Sequence, residues 1–217
     1  MTARPWDAVF FDLDGTLADT VELILHCYRH TMTRHLGQAP DDARWLETIG
    51  QPLRVQLRLF ARSDAEAADM LATYVAFQRT VHDGMVRAFP GALEVVQALR
   101  ARPTPLAVVT SKGRAMAERT LDRCGFAGAF DDVVTADDVR RGKPDPEPVH
   151  RALDALGLDD PSRVLFVGDS PWDLKAGRAA GTRTAAVLWG PYDPAHLARE
   201  EPDFTLGDIR ELLATGP

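Results

Sequence analysis

Short apolar runs that stop at polar or small residues recur along the chain. Ala8–Phe11, Leu106–Val109, Val133–Val134 and Val164–Val167 are alike, and Thr184–Leu188 adds a fifth. Continuous apolar runs of this length suit strands covered on both faces, as in a parallel sheet. Between most of them the spacing changes to a helical period. In Ala92–Ala101 the residues Leu93, Val96 and Leu99 share one face, and Met116–Cys124, Pro148–Leu156 and Leu174–Ala180 follow suit. Strands alternating with helices predict an α/β fold, a doubly wound parallel sheet with a Rossmann-like core.

The first crossover breaks this rhythm. No good strand candidate lies between Gly15 and Phe89. Instead Glu22–His35 reads as a long helix, Asp41–Thr48 and Leu53–Phe60 as shorter ones, and Ala65–His82 as a fourth. Ile49-Gly50-Gln51-Pro52 interrupts the series, and Phe89-Pro90-Gly91 marks the return to the sheet. The expected organisation is therefore a core of residues 1–16 and 89–217, with a small helical cap, residues 17–88, inserted after the first strand. The tail beyond Pro202 predicts one more short strand and a helix.

Composition narrows the classes. The chain has 217 residues, 45% of them hydrophobic and 26% charged, as a globular protein would. Its formal charge of −7 argues against a nucleic-acid partner. Its two cysteines, Cys27 and Cys124, are far apart and are expected as reduced thiols. With no apolar segment long enough to span a bilayer and no secretory leader in the first residues, a cytoplasmic protein without membrane contact is expected. The oligomeric state is left open.

Candidate chemistry sits where the strands end. In Val9-Phe10-Phe11-Asp12-Leu13-Asp14-Gly15-Thr16 two carboxylates stand one residue apart on an extended chain and so converge. Such a pair shares a proton or binds a cation, and hard oxygen ligands suit Mg²⁺. An ordinary Asp-Gly turn is the plainer reading. Thr110-Ser111-Lys112-Gly113 follows the second strand; its hydroxyls either cap a helix or donate to an anion. Lys143, in Gly142-Lys143-Pro144-Asp145-Pro146-Glu147, is either a solvated loop lysine or a fixed cation beside a phosphate. Val167-Gly168-Asp169-Ser170-Pro171-Trp172-Asp173 ends a further strand, with Asp169 a possible cap and Asp173 favourable to the helix dipole. Gathered on one edge of one sheet, these groups have the makings of a metal and phosphate site.

Asp12 to Thr16, Thr110, Lys143 and Gly168-Asp169 through Asp173 resemble, in order and spacing, the four motifs of the haloacid dehalogenase superfamily of phosphohydrolases. The resemblance covers essentially the whole chain and matches the helical insert to that family's cap. It is nearest the phosphoglycolate phosphatase branch, including a similar bacterial pyrophosphatase group that shares Ile49-Gly50, Asp137-Asp138-Val139 and Pro202-Asp203-Phe204. It implies Asp12 as nucleophile, forming an aspartyl-phosphate, and Asp14 as acid and then base. Mg²⁺ is the implied cofactor, held by Asp12, Asp169 and, through its backbone carbonyl, Asp14. Thr110, Ser111 and Lys143 are the implied phosphate binders, and Asp173 is implied to orient Lys143 or a water on the metal.

A small phosphorylated substrate is expected, with 2-phosphoglycolate preferred, inorganic pyrophosphate the alternative, and a phosphosugar mutase or a non-catalytic binding module less favoured. Arg54 is the candidate reader of a second anionic group, against the plainer reading of a surface arginine on an amphipathic helix; Arg58 is a weaker candidate. Lys112 and Arg114 are further cations that a pyrophosphatase would use. Thr16 is expected to hold its turn. His26 and His30, one turn apart, are expected on a cap surface, and His82 has no evident partner.

Overall fold

The computed structural model describes residues 6–217. Six parallel strands form one sheet: β1 (Ala8–Phe11), β4 (Leu106–Val109), β5 (Asp132–Val134), β6 (Val164–Gly168), β7 (Arg183–Val187) and β8 (Phe204–Leu206), in the order β5-β4-β1-β6-β7-β8. β2 (Ala18–Asp19) and β3 (Arg87–Ala88) pair separately as an antiparallel ribbon. In the sheet the strand order reverses between β1 and β6, and ligands of open α/β sheets bind at that crevice. Asp12 follows β1 and Asp169 follows β6, so the two candidate acids flank the reversal.

Alternation along β1 builds both faces of the core. Val9 and Phe11 join one cluster with Val108, Leu165 and Val167; Ala8 and Phe10 join another with Ala107, Val109 and Phe166. Helices α5 (Ala92–Arg100), α6 (Arg114–Arg123), α7 (Glu147–Leu156) and α8 (Pro171–Ala179) connect the strands, and α9 (Pro194–Ala198) follows β7. The expected tail helix is a 3₁₀ helix, Ile209–Ala214, after β8.

The cap consists of α1 (Val21–Leu36), α2 (Asp42–Leu46), α3 (Leu53–Arg58) and α4 (Asp64–Met85), joined to the core through the β2–β3 ribbon. Its interior is aromatic: Trp45 stacks on Tyr28 at 4.6 Å and leans on Phe60 at 5.7 Å. His30 stacks on Phe77 at 3.8 Å and His26 lies 5.1 Å from it, so that histidine pair packs rather than gathers ligands. His82, fully buried, has two partners after all: Asp83 beside it at 2.8 Å and Thr120 of α6 at 2.9 Å. The Thr120 hydroxyl also donates to Met116 O at 2.8 Å, so it bridges the ring to the backbone of α6. Arg119 clamps Asp83 through two 2.8 Å bonds, so α4 is tied to α6 at the base of the cap. Among the described residues no helix is long and apolar enough to cross a membrane.

Candidate active site

The site grows from the turn after β1. Leu13 O accepts from both Leu17 N and Ala18 N, which folds the chain tightly back toward the cap. Gly15 makes this possible in two ways. It has φ +86, and a Cβ there would collide with the Asp169 carboxylate. Thr16 then donates its hydroxyl to Asp169 Oδ1 at 2.8 Å, while its carbonyl accepts from Trp189 Nε1 at 3.0 Å. Thr16 thus holds the turn, and it orients an acid as well.

Around that turn the structure collects a buried cluster of charge. Lys143 Nζ lies 2.9 Å from Asp12 Oδ1 and 2.5 Å from Asp173 Oδ1, and donates to Val109 O at 3.2 Å. Asp173 is spoken for on both oxygens, because Oδ2 accepts from Ser170 N at 3.1 Å and Ser170 Oγ at 2.6 Å. Ser170 in turn caps α8, completing a capping box. One side chain therefore starts the helix and steers the lysine. Gly168 lets Asp173 approach, since a Cβ there would overlap it.

Ligands of hard divalent cations come from such oxygens. Asp12, Asp169 and Asp173 offer carboxylate oxygens all within 4.8 Å of one another, and all three are buried. Asp12 Oδ1 and Asp169 Oδ2 have no hydrogen-bond partner, although the former is ion-paired with Lys143 Nζ at 2.9 Å. Burial raises Asp12 to about 7 despite the pull of Lys143, with Asp173 adding to the rise. Burial also lifts Asp169 well above the carboxylate range, helped by Asp173 and Asp12. Lys143 is pushed down by burial but drawn up further by Asp12 and Asp173, so it stays charged. One lysine among three buried acids leaves a deficit of positive charge. The donor set fits a divalent cation, and Asp12 and Asp169 each keep an oxygen without a hydrogen bond.

Asp14 stands apart from that cluster. Its two oxygens accept from Lys112 Nζ at 2.7 and 2.8 Å. Thr110 is buried and its Oγ1 accepts from Lys112 N at 3.2 Å, fixing the turn that carries the lysine. Ser111 donates to Gly50 O of the cap at 2.6 Å. The sequence placed Lys112 two residues past Thr110, yet nothing in it paired the lysine with Asp14, because the partners come from different strand ends.

Above these groups the cap roofs a half-open cavity of about 700 Å³, lined by Asp12, Asp14, Thr110, Ser111 and Lys112 below and by α3 and α4 of the cap above. Arg54 lines it; Arg58 does not, and pairs with Asp64 instead. Arg114, a further candidate cation, is tied to Asp138 at 2.5 Å outside this cavity. Contacts that sequence reasoning missed hold the cap in place. Tyr192 Oη lies 2.8 Å from Ile49 O and 3.1 Å from Glu47 O, and accepts from Trp172 Nε1 at 3.1 Å. Gly50, with φ +99, packs so closely on Ser170 and Trp172 that a side chain would clash.

With this geometry in view, similarities to known proteins become informative. Residues 9–187 match the family described as haloacid dehalogenase-like hydrolases. The chain is 40% identical to Pyrophosphatase PpaX of Bacillus velezensis over 98% of its own length and 97% of that protein's. It is 37% identical to Pyrophosphatase PpaX of Anoxybacillus flavithermus, over 96% and 95%. A solved structure from Haemophilus somnus, described as a predicted phosphoglycolate phosphatase, superposes with a TM-score of 0.85 at 24% identity and covers 96% of each chain. That last likeness is one of fold.

Proposed function

The chain belongs to the family of haloacid dehalogenase-like hydrolases, and from that premise we propose that it is a Mg²⁺-dependent inorganic pyrophosphatase acting through a phosphorylated Asp12. Pyrophosphate takes precedence over 2-phosphoglycolate on one observation: full-length similarity at 40% identity to a protein named a pyrophosphatase. The local geometry suits this choice, because Lys112 brings a cation to the wall of the same cavity that Asp12 lines.

Asp12 attacks the terminal phosphorus, and the bond from that phosphorus to the bridging oxygen breaks. Asp14 gives the leaving phosphate its proton and then takes one from the water that releases the second phosphate. Lys143 keeps the Asp12 carboxylate aimed and offsets charge on the phosphoryl oxygens. Thr110 and the backbone at Ser111 donate to those oxygens, and Lys112 offsets charge on the leaving phosphate. Asp12, Asp169 and the Asp14 carbonyl would hold Mg²⁺, which would supply positive charge between the anionic nucleophile and the anionic substrate. The cap excludes water while Asp12 carries the phosphoryl group.

The test is phosphate release with Mg²⁺ from pyrophosphate and from 2-phosphoglycolate, with Asp12→Asn as the blank. We expect pyrophosphate to be the better substrate and Asp12→Asn to lose at least about a thousandfold in kcat. Preference for phosphoglycolate, or a working Asp12→Asn variant, contradicts the assignment.

A further inference from the structure

Asp14 and Lys112 come from different strand ends and meet at one cavity. Asp14 follows β1, Lys112 follows β4, and both line the cavity that Asp12 lines. The lysine spans both oxygens of the Asp14 carboxylate, at 2.7 and 2.8 Å. Among the described residues it is the one hydrogen-bonding partner of that carboxylate, and its ammonium group has no other acceptor. The pair is largely withdrawn from water, with the lysine side chain 7% and the aspartate side chain 17% exposed.

Such a pair is hard to part. A buried ammonium without a counter-charge is costly, so Lys112 leaves Asp14 only for another anion. The backbone that carries the lysine is fixed on both sides. Lys112 N donates to Thr110 Oγ1 at 3.2 Å, and Lys112 O accepts from Ala136 N at 3.0 Å. Asp137, next to Ala136 in the loop after β5, accepts from Arg114 N at 2.8 Å at the start of α6. An exchange of partner is therefore a swing of the flexible lysine side chain, with the loop left in place.

The pairing bears on the work given to Asp14. A general acid must come within hydrogen-bond reach of the oxygen it protonates. Here both carboxylate oxygens are aimed at Lys112 instead, so Asp14 is held away from a leaving group until the lysine lets go. A leaving group that is itself an anion supplies the reason to let go. The departing phosphate of pyrophosphate draws Lys112 across, and Asp14 turns to the bridging oxygen. A leaving group without charge of its own offers Lys112 nothing, and Asp14 stays held.

We propose that Lys112 is a positioning residue that withholds Asp14 until an anionic leaving group takes the lysine, so that the enzyme selects substrates by the charge of the group it expels. The exchange itself breaks and forms only ion pairs. The electron pair of the broken phosphorus–oxygen bond stays on the bridging oxygen, and the proton that reaches that oxygen still comes from Asp14. The selection falls on the rate of phosphoryl transfer rather than on binding alone. It rests on Asp12 as the phosphoryl acceptor and Asp14 as the acid, and not on pyrophosphate being the preferred substrate.

The experiment compares kcat/KM for phenyl phosphate, whose leaving group needs an acid, with that for p-nitrophenyl phosphate, whose leaving group departs without one. The quantity kcat/KM covers only the steps up to loss of the leaving group, so the later work of Asp14 as base does not enter. In Lys112→Met the ratio of phenyl to p-nitrophenyl phosphate is expected to rise about tenfold or more over wild type, because general acid catalysis is worth at least that much. The rise disappears when Asp14→Asn is added. In Lys112→Met, kcat/KM for pyrophosphate falls by about tenfold or more, as loss of a charged hydrogen bond implies. A lysine that only supports the fold, or only offsets charge on a leaving phosphate, leaves the ratio where it was; an unchanged or lower ratio overturns the proposal. A wild type that leaves pyrophosphate intact overturns the pyrophosphatase assignment, and the ratio still decides the role of the lysine. A second measurement needs no lysine variant. In crystals of Asp12→Asn with Mg²⁺ and pyrophosphate, Lys112 Nζ is expected on the phosphate that would leave and off Asp14, whereas with phenyl phosphate it stays on Asp14. Lys112 still paired with Asp14 in the pyrophosphate complex contradicts the proposal.

Discussion

The floor and the roof of the cleft treat charge in opposite ways. On the floor, charged groups are buried and bound to one another: Lys143 is 2% exposed and reaches Asp12, Asp173 and the Val109 carbonyl together. On the roof, Arg54 and Arg79 are exposed and unpaired, over an apolar and aromatic wall. Buried charges are costly unless their geometry is right, so the floor is committed to one arrangement and one chemistry. An exposed arginine costs little to keep and little to change. The difference teaches that the floor is fixed in one arrangement while the roof's charges are free to change.

The comparison is broken most severely by removing the floor's cation. Lys143→Ala leaves three crowded acids and is expected to cost about 3–5 kcal/mol in urea unfolding, whereas Arg58→Ala on the cap surface costs about 1 kcal/mol or less. Comparable small losses for both would mean the floor is not committed to its one arrangement by buried charge. The acids themselves provide the next test. Without metal, Asp169→Asn relieves repulsion and is expected to unfold at a higher temperature than wild type. Mg²⁺ at about a hundred times its Kd should stabilise wild type by about 2.7 kcal/mol and leave Asp169→Asn nearly unmoved. An equal Mg²⁺ response in both proteins would remove Asp169 from the ligand set.

The join between roof and floor is expected to be weaker. Tyr192→Phe deletes the hydroxyl that meets Ile49 O, Glu47 O and Trp172 Nε1, at a cost of about 1 kcal/mol. Faster proteolysis of the cap loop near Gly50 would report it; an unchanged digestion rate would mean that the other contacts suffice. The smallest effect lies at the base of the cap. Burial holds His82 below its ordinary pKa, opposed by Asp83 and aided by Lys112 and Arg119. The folded state thus keeps the ring neutral while the unfolded chain takes up a proton near pH 6.5. Stability is intact above that pH, falls as pH drops below it, and levels once the folded ring protonates. His82→Gln should flatten that slope; an identical slope would place the titration elsewhere.

Much of this was legible in the chain. β1 and β4 coincide with the runs Ala8–Phe11 and Leu106–Val109, because fully buried strands are nothing but apolar there. Lys143 could be anticipated as a fixed cation because it belongs to a motif with a set place among the strands. The two-residue strands β2 and β3 were not legible, since two residues carry no period. Nor were the Lys112–Asp14 pair, the Tyr192 clamp, or the cavity that Arg54, Arg79 and Arg140 all line. Each depends on how the cap sits on the core, a relation spread over long stretches of chain. Ser170 was hidden differently: the helix cap was sought at Asp169, but Ser170 takes that role with Asp173 and frees Asp169.

The most direct test of the central claim, that the floor performs covalent chemistry from Asp12, is to catch the intermediate. Protein turning over radiolabelled pyrophosphate with Mg²⁺ is quenched in acid, digested, and sequenced by mass spectrometry. The account predicts a phosphoryl group on the Asp12 side chain, absent from Asp12→Asn. Turnover with no label on the protein, or label on Asp14 or another residue, would contradict it.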